Sequence, residues 1–138
     1  MSTIIQTQTT SFKKELYEAI HNLPTDVLKI ALYTASASLN ETTTAYSATN
    51  EVTGTGYVAG GVVMTGVTVS SSGYTAFVDF ADVVFGAAVT ARCALIYNSS
   101  KANRSIAVLD FGSDKTSASF TITMPSNTAT SALIRSSN

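Results

Sequence analysis

The side chains able to do chemistry are few in this chain, and the sharpest of them stand alone. His21 is the only histidine and Cys93 the only cysteine. One imidazole excludes a three-histidine zinc site, and one thiol excludes an internal disulfide or a cysteine-held metal. Nucleophilic hydrolysis needs a base positioned beside its nucleophile. His21 falls at the end of an expected helix, where the dipole favours a cation, so it is expected at the surface. Cys93 lies in the alternating run Val89, Ala91, Cys93, Leu95, Tyr97, which predicts one shared strand face. It is expected there as a small buried hydrophobe. Arg92, its neighbour, would point to the opposite face and leave the thiol without an activating cation.

Carboxylates come in two close pairs, Asp79 with Asp82 and Asp110 with Asp114. Such pairs can serve glycoside hydrolysis or hold calcium. Neither sits in a loop with the spaced oxygen ligands of a calcium site. Asp79 is expected to face solvent, and Asp114 to cap its own backbone in a turn. Gly54-Thr55-Gly56-Tyr57-Val58-Ala59-Gly60-Gly61 places four glycines in eight residues. A phosphate cradle would need a helix directly afterwards and a lysine. A β-branched, strand-like run follows instead. Asp110-Phe111-Gly112 matches the kinase triplet without the motifs that give it meaning. The triplets at Asn40, Asn98 and Asn103 are glycosylation signals only in a secreted chain. No catalytic, metal or cofactor residues are assigned.

The elements that must position these residues are those of one domain. The chain has 138 residues, 12% of them charged, with a net charge of −1. Soluble domains average about 25% charged residues. Serine (18) and threonine (21) fill the difference. Near-neutrality argues against a nucleic-acid partner held through phosphates and against a polybasic membrane anchor. No apolar run approaches the roughly 18 residues of a membrane span, and no signal peptide of the usual kind is expected.

Residues 1–10 read as a polar, flexible N-terminal arm carrying Ile4 and Ile5. Residues 11–23 read as a short helix with Ser11 as N-cap and Pro24 as terminator. Phe12, Leu16, Ala19, Ile20 and Leu23 form its apolar stripe, and Lys14–Glu18 an i,i+4 pair. Strands are expected from residue 28 onward, beginning with Leu28 to Thr34. A long polar loop, about 35–55, runs into the glycine-rich stretch. Val62 to Val69, Thr75 to Phe80, Val89 to Tyr97, Arg104 to Phe111 and Ser119 to Met124 then read as strands. Turns are expected at 70–74 and 112–115, and a last edge strand near 132–135. This predicts a single all-β domain over 11–138, a β-sandwich or jelly-roll-like barrel.

With catalysis poorly supplied, the surface carries the functional signal. Tyrosines set among Ser, Thr, Gly and Asn suit contact with a protein or a sugar. The candidate interface residues are Ile4, Ile5, Phe12, Leu16, Ile20, Tyr46, Tyr57 and Tyr74. Low charge, long loops and an arm suit a subunit packing against copies of itself or a scaffold, so a homo-oligomer is expected.

The chain also resembles the small β-rich structural proteins of tailed-bacteriophage virions. The resemblance is carried by Leu28-Lys29-Ile30-Ala31-Leu32-Tyr33-Thr34 and by Glu51-Val52-Thr53-Gly54 through Gly61. It continues in Val78-Asp79-Phe80-Ala81-Asp82-Val83, Ala94-Leu95-Ile96-Tyr97-Asn98 and Ala107-Val108-Leu109-Asp110-Phe111-Gly112. It covers most of residues 28–124, with Phe85 where such sequences often carry tryptophan. It implies a non-enzymatic virion component assembled in the host cytoplasm. The leading expectation is a capsid decoration (cement) protein whose partner is the major capsid protein or another virion subunit. A neck, tail or head-fibre component is the second expectation, and a carbohydrate-binding host-attachment module the third.

Overall fold

The structure, a computed structural model, describes residues 3–137. In chain order the elements are β1 (Thr7–Gln8), α1 (Thr10–Tyr17), β2 (Leu28–Tyr33), β3 (Val62–Val63), β4 (Thr68–Ser72) and β5 (Thr75–Asp79). They continue with β6 (Val83–Val84), β7 (Val89–Asn98), a 3-10 turn (Ser99–Lys101), β8 (Arg104–Ser117), β9 (Thr121–Ile122) and β10 (Ile134–Ser137). The chain is therefore mostly β, with one short helix. Its strands form three antiparallel sheets ordered β1-β8-β7-β2-β3, β10-β5-β4 and β6-β9, and these do not close into a barrel.

The largest sheet is buried on both faces. Leu28, Ile30 and Leu32 of β2 join Ala94, Ile96 and Leu109 in an apolar cluster. That cluster also takes in Val78, Phe80, Val83, Ile122 and Ile134 from the smaller sheets and their flanks. On the other face Ala31, Tyr33, Cys93, Leu95, Tyr97 and Val108 pack beneath Ala37 and Leu39 of the long loop. A strand covered on both sides reads as a continuous apolar run, as Leu-Lys-Ile-Ala-Leu-Tyr does.

Several expectations change. The arm is not free. The Ile5 N–H bonds to the Leu39 carbonyl at 3.0 Å, and Thr7 and Gln8 pair with Val108 and Ala107 of β8. Met1 and Ser2, part of the expected arm, lie outside the described residues. The helix begins one residue earlier, with Thr9 rather than Ser11 as N-cap, and ends at Tyr17 rather than 23. Ala19 takes a left-handed φ of 60°. The Ala19 N–H bonds Leu16 O and the Ile20 N–H bonds Glu15 O, the pair of bonds that closes a Schellman terminus. No glycine announces it.

Within β7 the expected common face is broken. Ala91 pairs with Lys115 but Cys93 pairs with Asp110, so residues 111–114 oppose Arg92 alone. This irregularity reverses the alternation. Val89 and Ala91 join the larger cluster, whereas Cys93, Leu95 and Tyr97 face the long loop. The expected turn at 112–115 is this excursion inside β8. The expected strand Val62 to Val69 is split between two sheets at Gly66, which has φ 63°. The turn expected at 70–74 shrinks to Gly73-Tyr74, since Ser72 pairs with Thr75.

Candidate interaction surface

Two polar clusters are built into the domain, and both are spent internally. The first pins the long loop onto the sheet. Glu51 Oε1 accepts the Tyr46 hydroxyl at 2.6 Å. Its Oε2 accepts the Tyr57 hydroxyl at 2.6 Å and the Gly60 N–H at 2.8 Å. The Tyr57 oxygen accepts the Leu32 N–H at 3.0 Å, tying the cluster to β2. Tyr97 donates to the Gly60 carbonyl at 2.6 Å and stacks on Tyr46 with ring centroids 4.7 Å apart. Tyr33 donates to Ser47 O at 2.6 Å. Burial first, and the Glu51 carboxylate second, push the pKa of Tyr33, Tyr46, Tyr57 and Tyr97 up.

The second cluster joins α1, the segment after it and the β7–β8 turn. His21 Nε2 meets Glu15 Oε1 at 2.8 Å, and Arg104 Nη1 donates to Glu15 Oε2 at 2.9 Å. Asn98 Nδ2 donates to Asp26 Oδ2 at 2.7 Å and to His21 Nδ1 at 3.0 Å. Asn98 Oδ1 accepts the Ser100 N–H at 3.1 Å, which fixes the amide orientation. His21 Nδ1 is therefore an acceptor and Nε2–H a donor to Glu15. Both ring nitrogens are occupied, so the imidazole has no position left from which to activate a nucleophile. The side chain is buried, not at the surface as its place after the helix suggested. Burial opposes the Asp26 carboxylate, but bonds from Asn98 and the Asn22 N–H, together with Lys101, hold its pKa below the ordinary value. Cys93 is buried, and its pKa is pushed up to about 12 by burial and then by Asp110. Among the described residues no three His, Cys, Asp or Glu side chains come together as a metal site.

The candidate interface residues divide. Phe12 is 0% exposed in the core, so it cannot reach a partner. Ile4 and Ile20 are half-buried, with Ile4 packed under the long loop. Tyr46 and Tyr57 are half-buried and hold Glu51. Ile5, Leu16 and Tyr74 are exposed, at 44%, 42% and 87%. Leu16 lines an apolar groove of about 450 Å³ between α1 and the β10-β5-β4 sheet. Leu23, Val69, Phe77 and Ile134 are among its other lining residues. Val69, 51% exposed, is a surface residue that sequence reasoning missed. Its only signal is a lone hydrophobe in Thr68-Val69-Ser70-Ser71-Ser72. Glu51 and Asn98 were also missed. The signal for Glu51 is a single acid placed between Tyr46 and Tyr57 in a long uncharged stretch.

No family model matches this chain, and no curated protein or solved structure matches it either. None of the described helices is long and apolar enough to cross a membrane.

Proposed function

We propose that this chain is a non-enzymatic structural protein of a bacteriophage virion, a decoration protein that braces the capsid lattice from outside. The observation that supports this best is the division of its side chains. Glu15, Asp26, Glu51 and His21 are consumed by internal hydrogen bonds, while Ile5, Leu16, Val58, Val69 and Val84 stay exposed. Exposed apolar side chains rimmed by polar ones suit protein contacts. We further read the two larger sheets and the cluster between them as an irregular β-sandwich, a rigid platform for such contacts.

The mechanism is mechanical. Each copy adds interface area, and contact with several lattice subunits raises avidity without new chemistry. The sugar-binding reading draws less support, because the Tyr46 and Tyr57 hydroxyls are already committed to Glu51 and one face of Tyr46 covers Tyr97. The test is an antibody against the chain, applied to purified intact virions from the genome that encodes it. Labelling of heads is expected. Labelling at the neck, tail or fibres would replace decoration by that location, and unlabelled virions would overturn the reading.

A further inference from the structure

Among the described residues, the long sheet edges are covered or carry charge, except one. On the largest sheet, the outer edge of β2 is covered by Thr34 N–H to Asn50 O, Val52 N–H to Leu32 O and Met64 N–H to Leu28 O. The outer edge of β8 is covered by β1 and then by Gln6, whose Oε1 accepts the Asp110 N–H at 3.0 Å. Beyond that point β8 carries Asp114 and Lys115, charges that oppose pairing. The outer edge of β10 is met by Gln8, whose Nε2 donates to Arg135 O at 3.1 Å. β6 and β9 are two residues each.

β4 is the exception. It has five residues, Thr-Val-Ser-Ser-Ser, with no charge and no proline, and it ends its sheet. Ser72 and Thr75 close a two-residue turn, so they form the hydrogen-bonded pair next to it. Alternation then directs the backbone groups of Ser70 and Thr68 to β5 and those of Val69 and Ser71 outward. Among the described residues, these outward groups have no backbone partner from elsewhere in the domain.

We propose that the β4 edge is a two-fold interface with a second copy of this chain. An axis through Ser70 sets two β4 strands antiparallel. The Val69 N–H and C=O then meet the Ser71 C=O and N–H of the partner copy, and the reciprocal pair forms across the axis. The same strand supplies both sides, which a two-fold interface requires. A charge anywhere near the axis would face its own like charge. β4 has none, and a net charge of −1 leaves little repulsion between copies. Pairing joins two three-stranded sheets into one of six. It also brings the two apolar grooves together at their Val69 rims, covering side chains that the single copy leaves in water. Self-pairing here is independent of the virion reading, and either can fail without the other.

The test is the solution mass of the full chain by light scattering, for the native protein and for Ser70→Lys, Ser70→Glu and Val69→Pro. The native protein is expected at twice 14.4 kDa. Each Ser70 variant alone is expected to halve that mass, because like charges meet at the axis. An equimolar mixture of the two is expected to restore it. Val69→Pro removes an outward N–H without touching the β5 ladder, so it is expected to give single copies with an unchanged circular-dichroism spectrum. It keeps the test decisive if a charge at position 70 disturbs the fold. A native mass of one chain would overturn the proposal. So would a double mass that survives Val69→Pro and the Ser70 charges.

Discussion

Tyr57 donates its phenolic proton to Glu51 across 2.6 Å while its oxygen accepts the Leu32 N–H from the sheet. The carboxylate thus stands between the long loop and β2, accepting three donors at once. Glu51→Gln removes the charge and replaces one acceptor oxygen by an N–H₂, so a tyrosine hydroxyl must turn to accept or lose its bond, and the remaining bonds are no longer charge-assisted. Leaving a buried group unpaired costs about 1–3 kcal/mol. Denaturant titration of Glu51→Gln and Tyr57→Phe is expected to show losses in that range. Hydrogen exchange is expected to speed up across 45–60 before the rest of the domain. Equal exchange rates in native and variant loops would remove Glu51 as the clamp.

The same tyrosines are expected to set the alkaline limit of the fold. A phenol whose folded pKa is raised contributes stability that is complete below the unfolded value of about 10 and is lost as pH climbs above it. Four such phenols act in the same direction. Stability is expected to fall steeply above about pH 10. Phenolate absorbance of the buried tyrosines is expected to grow with unfolding, not before it. Full tyrosinate absorbance in a still-folded chain would contradict this.

At the acid end Asp26 acts in the opposite sense. Its folded pKa lies below the ordinary 3.8, so its contribution is present above that pH and is lost as pH falls through the folded value. Melting temperature is expected to drop below about pH 4, and Asp26→Asn to flatten that part of the profile. Asn98→Ala should cost more at neutral pH, about 2–3 kcal/mol, because it strips partners from His21, Asp26 and the Ser100 N–H together. An Asn98→Ala protein as stable as native would show that this network holds nothing in place.

Ala19 holds a position that glycine usually fills at the end of a helix. Its left-handed φ of 60° is strained for any residue with a Cβ. Ala19→Gly is expected to stabilise the domain by about 0.5–1 kcal/mol, read as a shift of the urea midpoint at constant slope. A destabilised Ala19→Gly would mean that its methyl group packs better than its backbone suffers.

Those residues also mark how far the sequence could be read. Strand positions at 28, 89 and 104, the apolar faces of Phe120 and Ile122, and the Lys14–Glu18 pair were all legible from alternation or spacing. The end of α1 was not, because alanine gives no sign of a left-handed terminus. Nor was the reversal at Arg92, since an inserted excursion leaves no mark in the shorter strand. His21 was misplaced because its burial depends on Asn98 and Glu15, which are 77 and 6 residues away. The exposed groove was half visible. Leu16 lay on an obvious stripe, but Val69 gains meaning only when β4 is found at an edge.

In the proposed function, an exposed apolar surface on this domain grips a phage head. The most direct test is co-sedimentation of the purified chain with heads that lack it, counting bound copies, with Leu16→Glu as the surface variant. Leu16 is 42% exposed, so the charge should leave folding within about 0.5–1 kcal/mol of native. Saturable binding at a fixed ratio to the major capsid protein, weakened at least about tenfold by Leu16→Glu, is the predicted result; a tenfold loss is about 1.4 kcal/mol. A chain that stays in the supernatant at every concentration, or that binds equally well with glutamate at position 16, would contradict the account.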